Sequence, residues 1–526
     1  MLVLDRPLRA PVQRVTGAGT RERSLAEADG ASVDLLVIGA GVIGAGTAWH
    51  AARSGATVVV VDRGDLAGAT SSASSKLLHG GLRYLGMGDV GLVREAHAER
   101  RANARVIAPH LVRHLPFVVP VRDGSPVPLW KVRAGVLLYG ALSRFADGRS
   151  GRIPDRRAAE LVPALRRDGL HGTVLYHDHE THDGRLALSA LRAAADAGAV
   201  VLPHAEVVRL VAEGGRVRGA ELTDRLGGRR LRIEARAVVN ATGPWVDAVR
   251  RLENAGAGPS VRLSKGVHLV LEGARDWSAA VTTPLPGGRV SFAIPWEGML
   301  LLGTTDEPYD GDPGAVRATD ADERQILAEA AFSVDPAVLD PGRVRARLAG
   351  LRVLPLVPGE TSRARRETIV ARGPQGMISV AGGKLTTWRA IGRRAAGLAL
   401  AGIGGSRPPA DPMPLPGAAA PAIAERRIST AWPGLPIDIV MHLARHHGLL
   451  GLDVLAAGHN HPVLLDRIHP DGPDIWAQVV YARDREWAST VTDVLRGRTT
   501  VALRGLDTDD VRRGVERILG GGSGPA

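Results

Sequence analysis

The sequence predicts an α/β fold followed by an all-α C-terminal domain, and three stretches carry that expectation. The first is Asp34 to Asp62, which reads as strand, glycine-spaced turn, helix and strand. The second is a pair of apolar strands far along the chain, Leu231 to Val239 and Met377 to Ala381, each running into a glycine-containing turn. The third is a Pro/Gly/Ala-rich segment from Gly402 to Pro421, beyond which amphipathic helical spacing continues to Leu519.

Asp34-Leu35-Leu36-Val37-Ile38 has the length and apolar character of a buried strand, and Gly39-Ala40-Gly41-Val42-Ile43-Gly44 follows with G-x-G-x-x-G spacing. In this setting Gly39 permits a tight turn, Gly41 lets the backbone approach a pyrophosphate, and Gly44 lets the helix pack closely on the strand. The helix N-terminus then faces the phosphates, where its free amides favour an anion. The helix is expected to run to about Ser54, with Gly55 as its stop. Thr57 to Val61 is a second strand, and Asp62 at its end is placed to accept the ribose hydroxyls of an adenosine. The unit is a Rossmann-type dinucleotide site, and the glycine motif alone does not separate NAD from FAD.

The residues after Asp62 do separate them. Residues 69–84 begin hydroxyl-rich and turn cationic: Thr70, Ser71, Ser75 and Lys76 suit a pyrophosphate and ribityl chain, and His79 and Arg83 can reach a flavin ring. A flexible serine linker is the bland reading, and the continuation Lys-Leu-Leu-His-Gly-Gly-Leu-Arg-Tyr argues against it. The segment resembles the TSSxSSKLxHGGLRYL stretch of the FAD-dependent, respiratory, quinone-linked glycerol-3-phosphate dehydrogenases. Further matches are Arg262 to His268 with R-x-x-K-G-x-H, Ile294-Pro295-Trp296 with I-P-W, and Gly303-Thr304-Thr305-Asp306 with G-T-T-D. Gly382-Gly383-Lys384-Leu385-Thr386-Thr387-Trp388-Arg389 matches G-G-K-L-T-T-[YW]-R in full, and Gly350 to Pro355 parallels G-x-R-P-L with Val353-Leu354 intruding. The resemblance covers about Val33 to Leu519.

That resemblance implies an architecture: a Rossmann-type FAD-binding domain in segments of about 33–110, 183–250 and 345–404. It is interleaved with an antiparallel-sheet α+β substrate domain of about 111–182 and 251–344. A linker at 405–421 leads to the helical domain at 422–519, and residues 1–32 and 520–526 read as a disordered extension and tail. Val207, on the returning strand, is the expected adenine contact, and Gly243, in Ala-Thr-Gly, gives close approach to the cofactor. Gly382, Lys384, Leu385 and Thr386 open the last helix, whose amides are expected to face the flavin O2 side.

Composition narrows the remaining classes. With no cysteine among 526 residues, disulfides, thiolate metal sites and cysteine nucleophiles are excluded, so redox chemistry needs a bound cofactor. No apolar run reaches bilayer-spanning length. The formal charge of +12 is nearly all arginine, with only four lysines (Lys76, Lys131, Lys265, Lys384), and it suits an anionic substrate or anionic lipid heads. Nucleic acid is not expected as a partner, since aromatics make up 3% and no nucleic-acid motif is present. Residues 171–183 hold four histidines and three carboxylates, the residue types of a metal site. They lack an H-E-x-x-H helix and lie where the family places a strand, so no metal is expected. Asp183 reads as an N-cap.

The chemistry the family implies is oxidation of sn-glycerol 3-phosphate to dihydroxyacetone phosphate, with hydride passing from C2 to flavin N5. Arg352, Arg366 and Lys384 are the phosphate and polarising candidates, Arg83 and Tyr84 close the pocket, and His79 or His268 is the base. Electrons pass to a membrane quinone, placing the protein in the cytoplasm, peripheral at the inner face of the cell membrane on anionic lipid. Self-association as a homodimer is compatible with this. The alternatives are a glycerol-3-phosphate oxidase using oxygen, an amino-acid or amine oxidase of the same fold, and a non-catalytic flavin-binding sensor.

Overall fold

The computed structural model describes residues 20–82, 89–356, 368–522 and 524–525. Arg83, Tyr84 and Arg366 lie outside the described residues.

Two sheets carry the molecule. In the eight-stranded sheet, Ser32–Ile38 sits centrally, parallel to Val58–Val61 on one side and to Arg230–Asn240 on the other; Val200–Leu202 and Ile378–Ala381 extend it. Strands buried on both faces read as unbroken apolar runs, which is why Val58–Val61 is four valines, all buried. Helices Val42–Ala52, Asp183–Asp196 and Trp388–Ala401 cover one face. The first and last of these touch through glycines: a Cβ at Gly392 would lie 2.5 Å from the carbonyl carbon of Gly46. The other face is covered by strands Ala205–Glu213 and Arg216–Asp224 and by a helix at Arg21–Ala28.

That helix corrects the expected disorder of residues 1–32 from residue 20 onward. Thr20 caps it, Arg21 pairs with Asp224 and donates to the Pro203 carbonyl, and the Trp487 indole donates to Ser24 at 3.1 Å. Its inward face is Arg21, Ser24 and Ala28, so no apolar stripe announced it.

The ten-stranded sheet is antiparallel except where Ala280–Pro284 runs parallel to Val112–Arg122. It differs from the expected segment boundaries at two places. Leu77–Leu78 pairs with His179 and Glu180, and Val344–Pro355 pairs along Val261–Glu272, so both belong to the substrate sheet. Residues 170–181 form one strand of it. Asp183 is not an N-cap: His182 holds that position, and the Asp183 carboxylate binds Ser74 and Lys76.

The C-terminal helices, from Pro421–Ala431 to Asp509–Leu519, pack around Ile428, Leu443, Val479 and Val515. They dock through two ion pairs, the buried Arg185 with Glu486 at 2.8 and 2.9 Å and the partly buried Arg498 with Asp65 at 2.7 and 2.9 Å. Among the described residues no helix is long and apolar enough to cross a membrane.

Candidate active site

A cavity of about 1940 Å³ runs between the two sheets. Ordinary ligand pockets occupy about 300–1,000 Å³, so there is room for a dinucleotide and a substrate together.

The glycine turn shapes one end. Gly39 has φ +101°, and a Cβ there would lie 2.6 Å from the Ala241 carbonyl oxygen; at Gly44 a Cβ would lie 1.8 Å from the Gly39 carbonyl oxygen. Both positions therefore exclude any side chain, and the exclusion brings the N-terminus of Val42–Ala52 onto the cavity. Asp62 accepts the Ala40 amide at 2.7 Å and the Gly64 amide at 2.9 Å, and burial pushes its carboxyl up to about 6. Ser71 Oγ accepts the Val42 amide at 2.9 Å, and Thr70 donates to the Leu351 carbonyl at 2.9 Å. Gly41, Ser75, Val207 and Gly243 also line the cavity. A bare turn that a Cβ would fill, a helix N-terminus and a carboxylate at the strand end are the donor and acceptor set that FAD requires.

Lys76 departs from expectation. Its side chain is 1% exposed, and its ammonium lies 2.6 Å from Asp183 and 4.9 Å from the centroid of the Trp296 ring. It does not line the cavity. It ties the loop that carries Ser74 and Ser75 to the start of Asp183–Asp196, a structural task in place of the cofactor contact expected.

The remaining candidates among the described residues line the same cavity. Gly382, Lys384, Leu385 and Thr386 line the cavity, but the last helix starts only at Trp388. The amides of 382–386 therefore belong to a loop ahead of the helix, with Gly382 at φ +90° and Gly383 at φ +142°. Thr386 Oγ1 accepts the His79 amide and donates to the His79 carbonyl, both at 3.1 Å, clamping the two loops together. Burial holds the His79 imidazole below its ordinary value; Lys384 acts in the same direction and Asp178 against it.

His268 is 3% exposed, and its Nε2 lies 2.9 Å from Ser75 Oγ. Burial, Arg352 and Lys76 bring it down to about 3, so it stays neutral and holds the serine loop in place. Arg352 donates to Thr304 Oγ1 at 2.8 Å, to the Thr305 carbonyl at 3.0 Å and to Asp306 at 3.3 Å. Its guanidinium lies over Gly266, where a Cβ would sit 2.6 Å from Nη2. Lys265, one residue earlier, points away, to Asp322 at 2.9 Å and Glu307 at 3.4 Å.

Sequence reasoning missed Arg289, Arg317, Tyr176 and Asp178, all of which line the cavity. Arg289 and Arg317 stand outside any matched motif. Asp178 lay within the imidazole- and carboxylate-rich stretch; it accepts the Gly80 amide at 3.1 Å and the Tyr139 hydroxyl at 2.7 Å, which supports the loop carrying His79.

Residues 34–396 match the FAD dependent oxidoreductase family, and residues 409–520 match the C-terminal domain of alpha-glycerophosphate oxidase. A glycerol-3-phosphate dehydrogenase of Synechocystis sp. is 35% identical over 504 residues, 91% of each chain. Glycerol-3-phosphate dehydrogenase 2 of Mycobacterium tuberculosis is 35% identical over 521 residues, 93% of this chain and 85% of that one. The crystal structure of the glycerol-3-phosphate dehydrogenase from Bacillus halodurans, complexed with FAD, aligns with a TM-score of 0.74 at 28% identity, covering 97% of this chain and 99% of that one. With its glycine turn, Asp62 and cation-lined cavity in the same frame, the chain belongs to the FAD-dependent glycerol-3-phosphate dehydrogenases.

Proposed function

We propose that the protein oxidises sn-glycerol 3-phosphate at C2 to dihydroxyacetone phosphate and passes the electrons to a membrane quinone. The observation that carries this reading is that His79, Arg352 and Lys384 line the same cavity as the glycine turn. FAD, held by the glycine turn, Asp62 and Ser71, would supply the two-electron acceptor for the C2 hydride.

Arg352 is oriented by Thr304, Thr305 and Asp306 and binds the substrate phosphate through charge-assisted hydrogen bonds. Arg317 and Arg289, the latter paired with Glu329 at 3.1 Å, also line the cavity. His79 takes the hydroxyl proton: its lowered proton affinity keeps it neutral, and therefore able to accept, at physiological pH. His268 serves as a positioning residue, because its Nε2 is engaged by Ser75. An amino-acid oxidase would need one carboxylate-binding arginine, and a wall with several cations suits a phosphate dianion better.

In this reading the protein is peripheral at the inner face of the membrane. Support comes from helix Leu129–Leu142, which exposes Trp130 at 71% and Leu138 at 51% beside the exposed cations Lys131, Arg133 and Arg144. Lys131 also lines the cavity, so this surface borders the site. Exposed apolar and basic side chains on one surface favour anionic lipid.

The test is steady-state oxidation of sn-glycerol 3-phosphate with a quinone analogue, while hydrogen peroxide is monitored. Quinone reduction with competition by inorganic phosphate is expected. Turnover of amino acids without turnover of glycerol 3-phosphate would contradict the substrate, and peroxide as the main product would contradict the acceptor.

A further inference from the structure

We propose that Glu297, His442 and His446 bind one divalent transition-metal ion, and that this ion pins the C-terminal domain to the substrate domain. His442 and His446 stand four apart on helix Ile437–His447, so they share a face. Glu297 comes from the tight turn between strands Val290–Trp296 and Met299–Gly303, on the other side of the domain seam. One ligand atom from each residue lies within 4.8 Å of the other two. The three side chains are buried, at 8% exposure for Glu297, 2% for His446 and 3% for His442.

The hydrogen bonding at this cluster is incomplete in a way that points to a ligand. His442 Nε2 lies 2.9 Å from Asp474, which is itself held by Thr500. With its proton there, the imidazole carries a bare lone pair on Nδ1, and Nδ1 has no hydrogen-bond partner. Nδ1 of His446 also lacks one, while its Nε2 faces the Glu297 carboxylate at 3.6 Å. Buried polar atoms are ordinarily paired, because leaving one unpaired forfeits its hydration. A carboxylate that fixes one nitrogen of a histidine and leaves the other without a partner is the outer-shell arrangement of metal-binding histidines.

Glu297 also faces Arg113 at 3.1 Å, a guanidinium that Glu180 shares at 2.9 Å. Imidazole nitrogen with carboxylate oxygen suits zinc and its first-row neighbours. Among the described residues the other such group is Asp65 with His204 and Asp493, where Arg498 binds Asp65 in a fork and the Ser489 and Thr490 amides bind Asp493. Neither Glu297 nor either histidine lines the flavin cavity, so the ion's role is structural. It would bind the docked arrangement alone and thereby stabilise it.

The experiment uses the FAD-loaded enzyme, stripped with a chelator, incubated with Zn²⁺ and desalted before zinc and FAD are counted. About one zinc per chain is expected in the wild type, with a melting temperature that rises with Zn²⁺ and not with Mg²⁺. His446→Gln should lose both responses while keeping its FAD. Because that variant could misfold, the wild type is also examined by X-ray absorption at the zinc edge. A nitrogen and oxygen shell with outer scattering from two imidazoles supports the site, and a shell of oxygens alone overturns it. Zinc below about a tenth per chain in the wild type, or equal zinc in a folded His446→Gln, would also overturn it.

Discussion

Replacing Lys76 with methionine should detach the serine loop from the substrate side of the cavity. The ammonium and the Asp183 carboxylate are 1% and 0% exposed and lie 2.6 Å apart. Removing one member of a buried pair leaves an uncompensated charge, at a cost of about 3–5 kcal/mol. Asp183 keeps the Ser74 amide at 3.0 Å, the Ser74 hydroxyl at 2.7 Å and the Gly184 amide at 2.9 Å, which places this part of the loss near the lower bound. The Trp296 face, 4.9 Å from the ammonium, adds about 1–2 kcal/mol when desolvated. The expected sum is about 4 kcal/mol. With a urea slope of about 3 kcal/mol/M, the midpoint for flavin release should fall by somewhat more than about 1 M. Lys76→Met combined with Asp183→Asn removes both charges and should recover most of the loss. A single-variant loss below about 1 kcal/mol, or a double variant as weak as the sum of the two singles, would refute the role given to this pair.

Gly44→Ala should give a colourless protein, since the added Cβ would lie 1.8 Å from the Gly39 carbonyl and displace the helix N-terminus from the cofactor cradle; FAD content after gel filtration checks it. Arg352→Ala should lower kcat/KM for glycerol 3-phosphate by about 10- to 150-fold, the equivalent of one charge-assisted hydrogen bond of about 1.5–3 kcal/mol. Inorganic phosphate should compete less well against that variant. For pH, burial and Lys384 hold His79 below its ordinary 6.5, so its neutral form persists into acid. The acid limb of kcat/KM should therefore lie below pH 6.5, with a plateau above it, and His79→Gln should lose the plateau rate; a limb above 6.5 would contradict the assignment.

The dinucleotide half was legible because its constraints are local. G-x-G-x-x-G after an apolar strand forces one turn, and Asp62 follows at a distance set by one helix and one strand. Lys76 was misplaced for a physical reason: its φ of +55° reverses the side chain, and no sequence rule placed a non-glycine residue there in that conformation. The helix after the Gly-Gly-Lys motif starts at Trp388, six residues beyond the start the sequence predicts, because Gly382 and Gly383 hold left-handed conformations that keep the chain in a loop. Arg289 and Arg317 reach the cavity through tertiary folding of loops with no periodic pattern. The N-terminal helix escaped notice because its inward face is held by Arg21–Asp224 and Ser24–Trp487 contacts made across the whole length of the chain. The same long-range closure hid the meeting of Glu297 with His442 and His446.

The most direct test of the central claim is anaerobic. Purified protein is mixed with sn-glycerol 3-phosphate and the flavin absorption band is followed, first alone and then with a quinone analogue. Rapid bleaching, reversed by the quinone, is the expected result. A flavin that stays oxidised with glycerol 3-phosphate and bleaches with an amino acid would contradict the assignment of Arg352, Lys384 and His79 to a phosphorylated alcohol.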